Sequence, residues 1–132
     1  MKVVALDYGA ARTGVAVSDP TGTLARPMGV VEKAGTAGGL ARLVELIEAE
    51  RAERVVVGLP LTLRGERGEQ ARETERFVEA LRTAVDVPVE SFDERFTTNL
   101  AESTSDAAAP EDARAAAHLL TSYLAWSSGD RE

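Results

Sequence analysis

Val3-Val4-Ala5-Leu6-Asp7-Tyr8-Gly9, followed after a turn by Thr13-Gly14-Val15-Ala16-Val17-Ser18-Asp19, is the stretch on which the fold turns. Four apolar residues in a row, with no polar alternation, suit a strand covered on both faces. Gly9 to Gly14 read as a turn, and Val15 and Val17 alternate through a second strand that stops at Asp19-Pro20. So short a link favours an antiparallel hairpin. Leu24 to Val31 reads as a third strand, which Pro27 confines to an edge because proline cannot donate to a ladder.

Beyond the hairpin the pattern changes period. Gly35 to Gly39 read as a break, after which Leu40, Leu43, Val44 and Ile47 recur at helical spacing up to about Arg51. Val55-Val56-Val57 predicts a buried strand ended by Gly58-Leu59-Pro60, and Thr62 to Gly68 a loop. A helix is expected from Glu69 to Val85 and a fifth strand from Val87 to Phe92, which runs into Asp93-Glu94-Arg95. A weaker helix is expected over Thr97–Ala109. A last helix starts at Pro110, carries Ala116, Leu119, Leu120, Tyr123 and Leu124 inward, and ends near Ser127. Tyr123 and Trp126 read as packing residues, and His118 as a boundary residue. The order β-β-β-α-β-α-β-α-α implies an α/β fold, a mixed sheet with helices on both faces. At 132 residues this is expected to be one domain, residues 1–127, with a polar tail over 128–132. Functional groups of such sheets gather at the carboxyl ends of parallel strands.

Composition narrows the chemistry. There is no cysteine and one histidine, His118, so thiolate metal sites, cysteine nucleophiles and multi-histidine centres are excluded. The net charge of −7 opposes nucleic acid or an anionic membrane in bulk. That charge is uneven. Residues 51–82 hold seven Arg against six Glu, whereas residues 99–132 hold six acids against two Arg. The longest apolar stretch, Val55 to Leu63, is interrupted by Gly58, Pro60 and Thr62 and falls far short of the roughly 20 residues of a membrane span. No secretory signal is legible, and a cytoplasmic protein is the expectation.

Three places carry acids where chemistry is expected: Asp7 at the end of the first strand, Asp93-Glu94 at the end of the fifth, and Asp112 in the first turn of the last helix. Each alone has a plain structural explanation, as a turn cap, surface charge or helix-dipole partner. Together they form a constellation that small residues at Ala113, Ala115 and Ala116 would allow to converge. Crowded carboxylates resist joint ionisation, and a divalent cation with a preference for oxygen, Mg2+ or Mn2+, relieves that. Neighbouring strand residues face opposite ways, so one of Asp93 and Glu94 is expected to face Asp7. Arg12, Arg64 and Arg67 are candidate phosphate contacts, the latter two beside the amides of a helix start.

Several blocks, in order and at their spacing, resemble the YqgF/RuvX family. They are Ala5-Leu6-Asp7-Tyr8-Gly9 through Arg12-Thr13-Gly14-Val15-Ala16-Val17-Ser18-Asp19; Val57-Gly58-Leu59-Pro60-Leu61; Phe92-Asp93-Glu94-Arg95-Phe96-Thr97-Thr98; and Asp112-Ala113-Arg114-Ala115-Ala116. The resemblance implies a ribonuclease H-like fold with strand order 3-2-1-4-5. It implies a metal-dependent nuclease for structured nucleic acid, linked to the ends of the small-subunit (pre-16S) rRNA precursor and to Holliday junctions. Carried to this chain, it implies Asp7, Glu94 and Asp112 as catalytic metal ligands, with Asp93 as the alternate to Glu94. Arg95 is implied to orient the neighbouring acid or meet a phosphate. Asn99 to Glu111, where the family implies a longer and often basic stretch, holds no Lys or Arg.

The leading expectation is therefore a two-metal nuclease acting on pre-rRNA, with branched four-way DNA as the alternative substrate, possible association with ribosomal particles, and a monomer or homodimer. A noncatalytic nucleic-acid-binding module and an ATP-handling protein compete. The latter needs a second domain around its cleft, and 132 residues hold one.

Overall fold

The computed structural model describes residues 1–61, 64–66, 68–96 and 109–130. Five strands form one sheet: β1 (Val3–Asp7), β2 (Arg12–Ser18), β3 (Ala25–Glu32), β4 (Arg54–Leu59) and β5 (Val89–Asp93). Their spatial order is β3-β2-β1-β4-β5. The first three pair antiparallel, while β1–β4 and β4–β5 are parallel. The short turn after β1 allows only the antiparallel return. The parallel pairs need crossovers, supplied by α1 (Ala37–Ala49) and α2 (Glu69–Ala84). A third helix, α3 (Glu111–Asp130), follows β5.

Central position explains the apolar runs. β1 lies between β2 and β4, so Val4 and Leu6 pack with α1 and α2 on one face, and Val3 and Ala5 pack with α3 on the other. Leu6, Leu43 and Leu81 are fully buried on the first side, and Leu120 on the second. Each contributes about 1.5–3 kcal/mol relative to exposure. Phe92, Tyr123 and Trp126 pack ring against ring on the α3 side. β3 is an edge strand, as Pro27 requires, and its pairing with β2 shifts register between Val15 and Ala16.

Several boundaries differ from the sequence-based expectation, β5 among them at Val89–Asp93 rather than Val87 to Phe92, and four have a local reason. α1 starts at Ala37, inside the expected glycine break, because Thr36 caps it by accepting from the Gly39 amide. Position 39 of that helix takes glycine because a Cβ there would stand 1.9 Å from the Lys33 carbonyl oxygen. β4 does not stop at Gly58 but continues through it to Leu59, held by β5. Glu94–Phe96 form a single 3-10 turn that periodicity cannot register. α3 runs to Asp130, so the polar end begins inside the helix rather than after it. The helix expected over Thr97–Ala109 lies, except for Ala109, outside the described residues. Among the described residues no helix is long and apolar enough to cross a membrane.

Candidate active site at the carboxyl ends of the strands

Asp7 is the last residue of β1, on the face that α3 covers. β4 lies between β1 and β5, so an acid that leaves β5 must reach over β4 to meet it. Glu94 does so. Its carboxyl donates a hydrogen bond to the Asp7 carboxylate. The crossing needs a gap in β4, and Gly58 supplies it. A methyl group there would stand 2.6 Å from Glu94 Oε2 and 3.1 Å from Leu119 Cδ2. Glycine in a strand interior commonly marks such a close approach.

Glu94 and Asp93 part company at the strand end. Asp93 accepts from the Arg95 backbone amide at 2.9 Å and from Arg95 Nη2 at 2.6 Å. This bonding holds its carboxyl below the usual carboxylate range. Glu94 stands on the first residue of the 3-10 turn, where strand alternation no longer governs direction. Burial, then the charge of Asp7, pushes its carboxyl from an ordinary 4.5 up to about 7. Asp7 is raised too, first by burial and next by the charge of Asp112.

Asp112 arrives on the first turn of α3. The helix start lies hard against β2: a methyl group on Gly14 would stand 1.8 Å from the Asp112 carbonyl oxygen. Ala113 and Ala116 are fully buried behind it. Its carboxylate accepts from Arg12 Nε at 3.0 Å, an ion pair across the mouth of the β1–β2 turn. That turn is tight, since a Cβ on Gly9 would stand 2.5 Å from the Arg12 carbonyl.

Asp7, Glu94 and Asp112 thus share one end of the sheet in three different bonding states. Among the described residues no three acidic or imidazole side chains form a ready-made metal cage. The donor set nevertheless fits a hard divalent cation. All three groups are carboxylates, Glu94 is hydrogen-bonded to Asp7, and burial, followed by the neighbouring acids, raises the carboxyl groups of both.

The arginines are spread round this end. Arg12 is held by Asp112 and Arg95 by Asp93. Arg64 is exposed in the loop before α2, and Arg67 lies outside the described residues. Gly65, at φ +81°, brings that loop over Arg95, with its would-be Cβ 3.2 Å from Nη1. Sequence reading singled out the four arginines but missed Gly14 and Gly58 as positioning residues. Their signal, a glycine inside a strand, was legible but ambiguous.

Comparison with known proteins bears on the family and the fold. The family described as "RuvX: Holliday junction resolvase" matches residues 1–126. A Chloroflexus aurantiacus protein named "Putative pre-16S rRNA nuclease" is 45% identical over 100 residues, which are 76% of this chain and 65% of that one. The matched part therefore spans just under two thirds of that relative. A Syntrophomonas wolfei protein of the same name is 36% identical over 132 residues, 94% of each chain. Among solved structures, Thermus thermophilus RuvC in complex with a Holliday junction substrate superposes with a TM-score of 0.71 at 19% identity, covering 98% of this chain and 96% of that one. At that identity the likeness is one of fold, and the fold is ribonuclease H-like. The sheet order, the strand-end acids and a match over nearly the whole length together place this chain in the RuvX family.

Proposed function

We propose that this chain is a metal-dependent nuclease that hydrolyses phosphodiester bonds of structured nucleic acid, with the ends of the small-subunit rRNA precursor as its substrate. The observation that carries the reading is the reach of Glu94 over Gly58 into hydrogen-bond contact with the Asp7 carboxyl. A structural acid gains nothing from being buried against a second carboxylate, whereas a cation-binding site needs that crowding. The name that the relatives carry, "Putative pre-16S rRNA nuclease", supports the substrate.

Asp7, Glu94 and Asp112 are the ligands in this reading, for two divalent ions, Mg2+ or Mn2+. Bound there, the ions would supply a water of lowered pKa and positive charge opposite the leaving oxygen. Glu94 first surrenders its proton to solvent. Asp112 turns from Arg12 toward Asp7, which frees the Arg12 guanidinium for a phosphate oxygen. Arg95, fixed by Asp93 beside Gly65, and Arg64, exposed in the same loop, stand where a phosphate of the bound strand would pass. Asp93 serves as the anchor of Arg95 rather than as a ligand.

The second reading, cleavage of four-way DNA, is favoured by the family description and uses the same site. Symmetric cuts there need a dimer. The test is a titration of Mn2+ and Mg2+ on a pre-16S rRNA end and on a four-way DNA junction, side by side. Asp7→Asn is expected to lower cleavage of the preferred substrate at least about a hundredfold with its melting temperature no lower than the parent's. A variant that cuts as fast as the parent overturns the site, and preference for the junction selects the second reading.

A further inference from the structure

Tyr8 directly follows Asp7 but stands on the other side of the sheet, packed with the core beneath α1 and α2. Its ring stacks on Phe77 with centroids 4.4 Å apart and planes 21° from parallel. These two rings, with Leu40 and Ala80, line a cavity of about 300 Å³ between the two helices, and Glu73 and Arg76 are its charged lining residues. The volume is at the lower end of small-molecule pockets, room for one heterocycle and far too little for a duplex or a folded peptide.

Glu73 and Arg76 stand three residues apart on α2 and so share one face. Neither forms an ion pair or side-chain hydrogen bond among the described residues. A carboxylate offers paired acceptors, and a guanidinium offers a planar fork of donors. Guanine alone among the four bases matches both with two-point contacts. Its N1–H and N2–H2 donate side by side, and its O6 and N7 accept side by side. Adenine and uracil lack both of these pairs, and cytosine lacks the paired donors.

We propose that this cavity binds an unpaired guanine of the nucleic-acid substrate, with Glu73 on its Watson–Crick edge, Arg76 on O6 and N7, and the Tyr8–Phe77 stack beneath it. The proposal deepens the nuclease reading and rests on it for the source of the base. The cavity lining includes Tyr8 and Ala10, so the loop Tyr8-Gly9-Ala10 leads directly from it to the strand end that carries Asp7. A strand bound at Asp7 can therefore turn a neighbouring base round that loop, which makes the cavity a determinant of where the chain cuts.

Calorimetric titration of the metal-free protein with GMP, AMP, CMP and UMP tests the cavity apart from the chemistry. GMP is expected to bind about tenfold or more tightly than the other three. Glu73→Gln is expected to remove that preference, and Ala80→Trp, which fills the space from an exposed position, to remove binding. On oligonucleotides, Ala80→Trp should raise KM for a guanine-bearing substrate with kcat unchanged and leave a guanine-free one untouched. Equal binding of the four nucleotides, or GMP binding undiminished in Glu73→Gln, overturns the proposal whether or not the protein cuts. Selective GMP binding by a protein that cleaves nothing would uphold the cavity and sink the nuclease.

Discussion

Glu94 keeps a proton near neutrality because burial and the neighbouring Asp7 both disfavour its anion. Its folded pKa of about 7 lies above its ordinary 4.5, so between those values the folded protein binds more protons than the unfolded chain. Stability therefore falls as pH rises across that window and levels off above it. Glu94→Gln should lessen the fall, leaving the part that Asp7 contributes, and leave the variant more stable than the parent at pH 8. The gain should be on the order of 1 kcal/mol, allowing for the partial solvent access of the side chain, and urea melts at pH 5 and pH 8 will read it. The same substitution should abolish metal-supported cleavage, and the parent's activity should climb as pH passes 7 and Glu94 gives up its proton. The residue was legible as a candidate, since Asp93-Glu94 closes a strand, but the choice between the two acids was not. It depends on Arg95 seizing Asp93 and on the 3-10 turn re-aiming Glu94.

Two strand glycines govern how the elements meet. At Gly14 a methyl group would collide with backbone, the Asp112 carbonyl, which cannot step aside without moving α3. Gly14→Ala should lower stability by about 1–3 kcal/mol and cleavage with it, visible as a depressed melting temperature. At Gly58 the obstacle is the mobile end of Glu94. Gly58→Ala should therefore spare most of the stability and lose cleavage selectively, a contrast that assays of both variants side by side will expose. Within the elements, the periodicity of Leu43, Ile47, Phe77 and Leu81 marked the buried faces of α1 and α2 correctly. The ends were harder, because Thr36 outweighs the glycines after it and pairing with β5 carries β4 past Gly58.

For the molecule as a whole, a net charge of −7 makes nucleic acid an unlikely guest until cations arrive. Binding of RNA should need Mn2+ or Mg2+ as much as cleavage does, and a chelator should abolish both. With Arg12, Arg64 and Arg95 the arginines placed at this end among the described residues, the slope of log K against log salt should be shallow, about −3. Filter binding across a salt series measures it, and a slope near −10 would mean that a basic surface elsewhere does the holding. The amino-acid sequence by itself determined the strands, the two helical faces, the hairpin and the absence of sulfur or histidine chemistry. Those properties follow from local periodicity and composition, which the chain carries wherever it goes. Only the tertiary structure decided that Glu94 meets Asp7, that Arg12 holds Asp112, and that a cavity opens behind Tyr8. Each of these joins residues far apart in the chain through the spacing of strands and the missing side chains of two glycines, and no local pattern encodes that spacing.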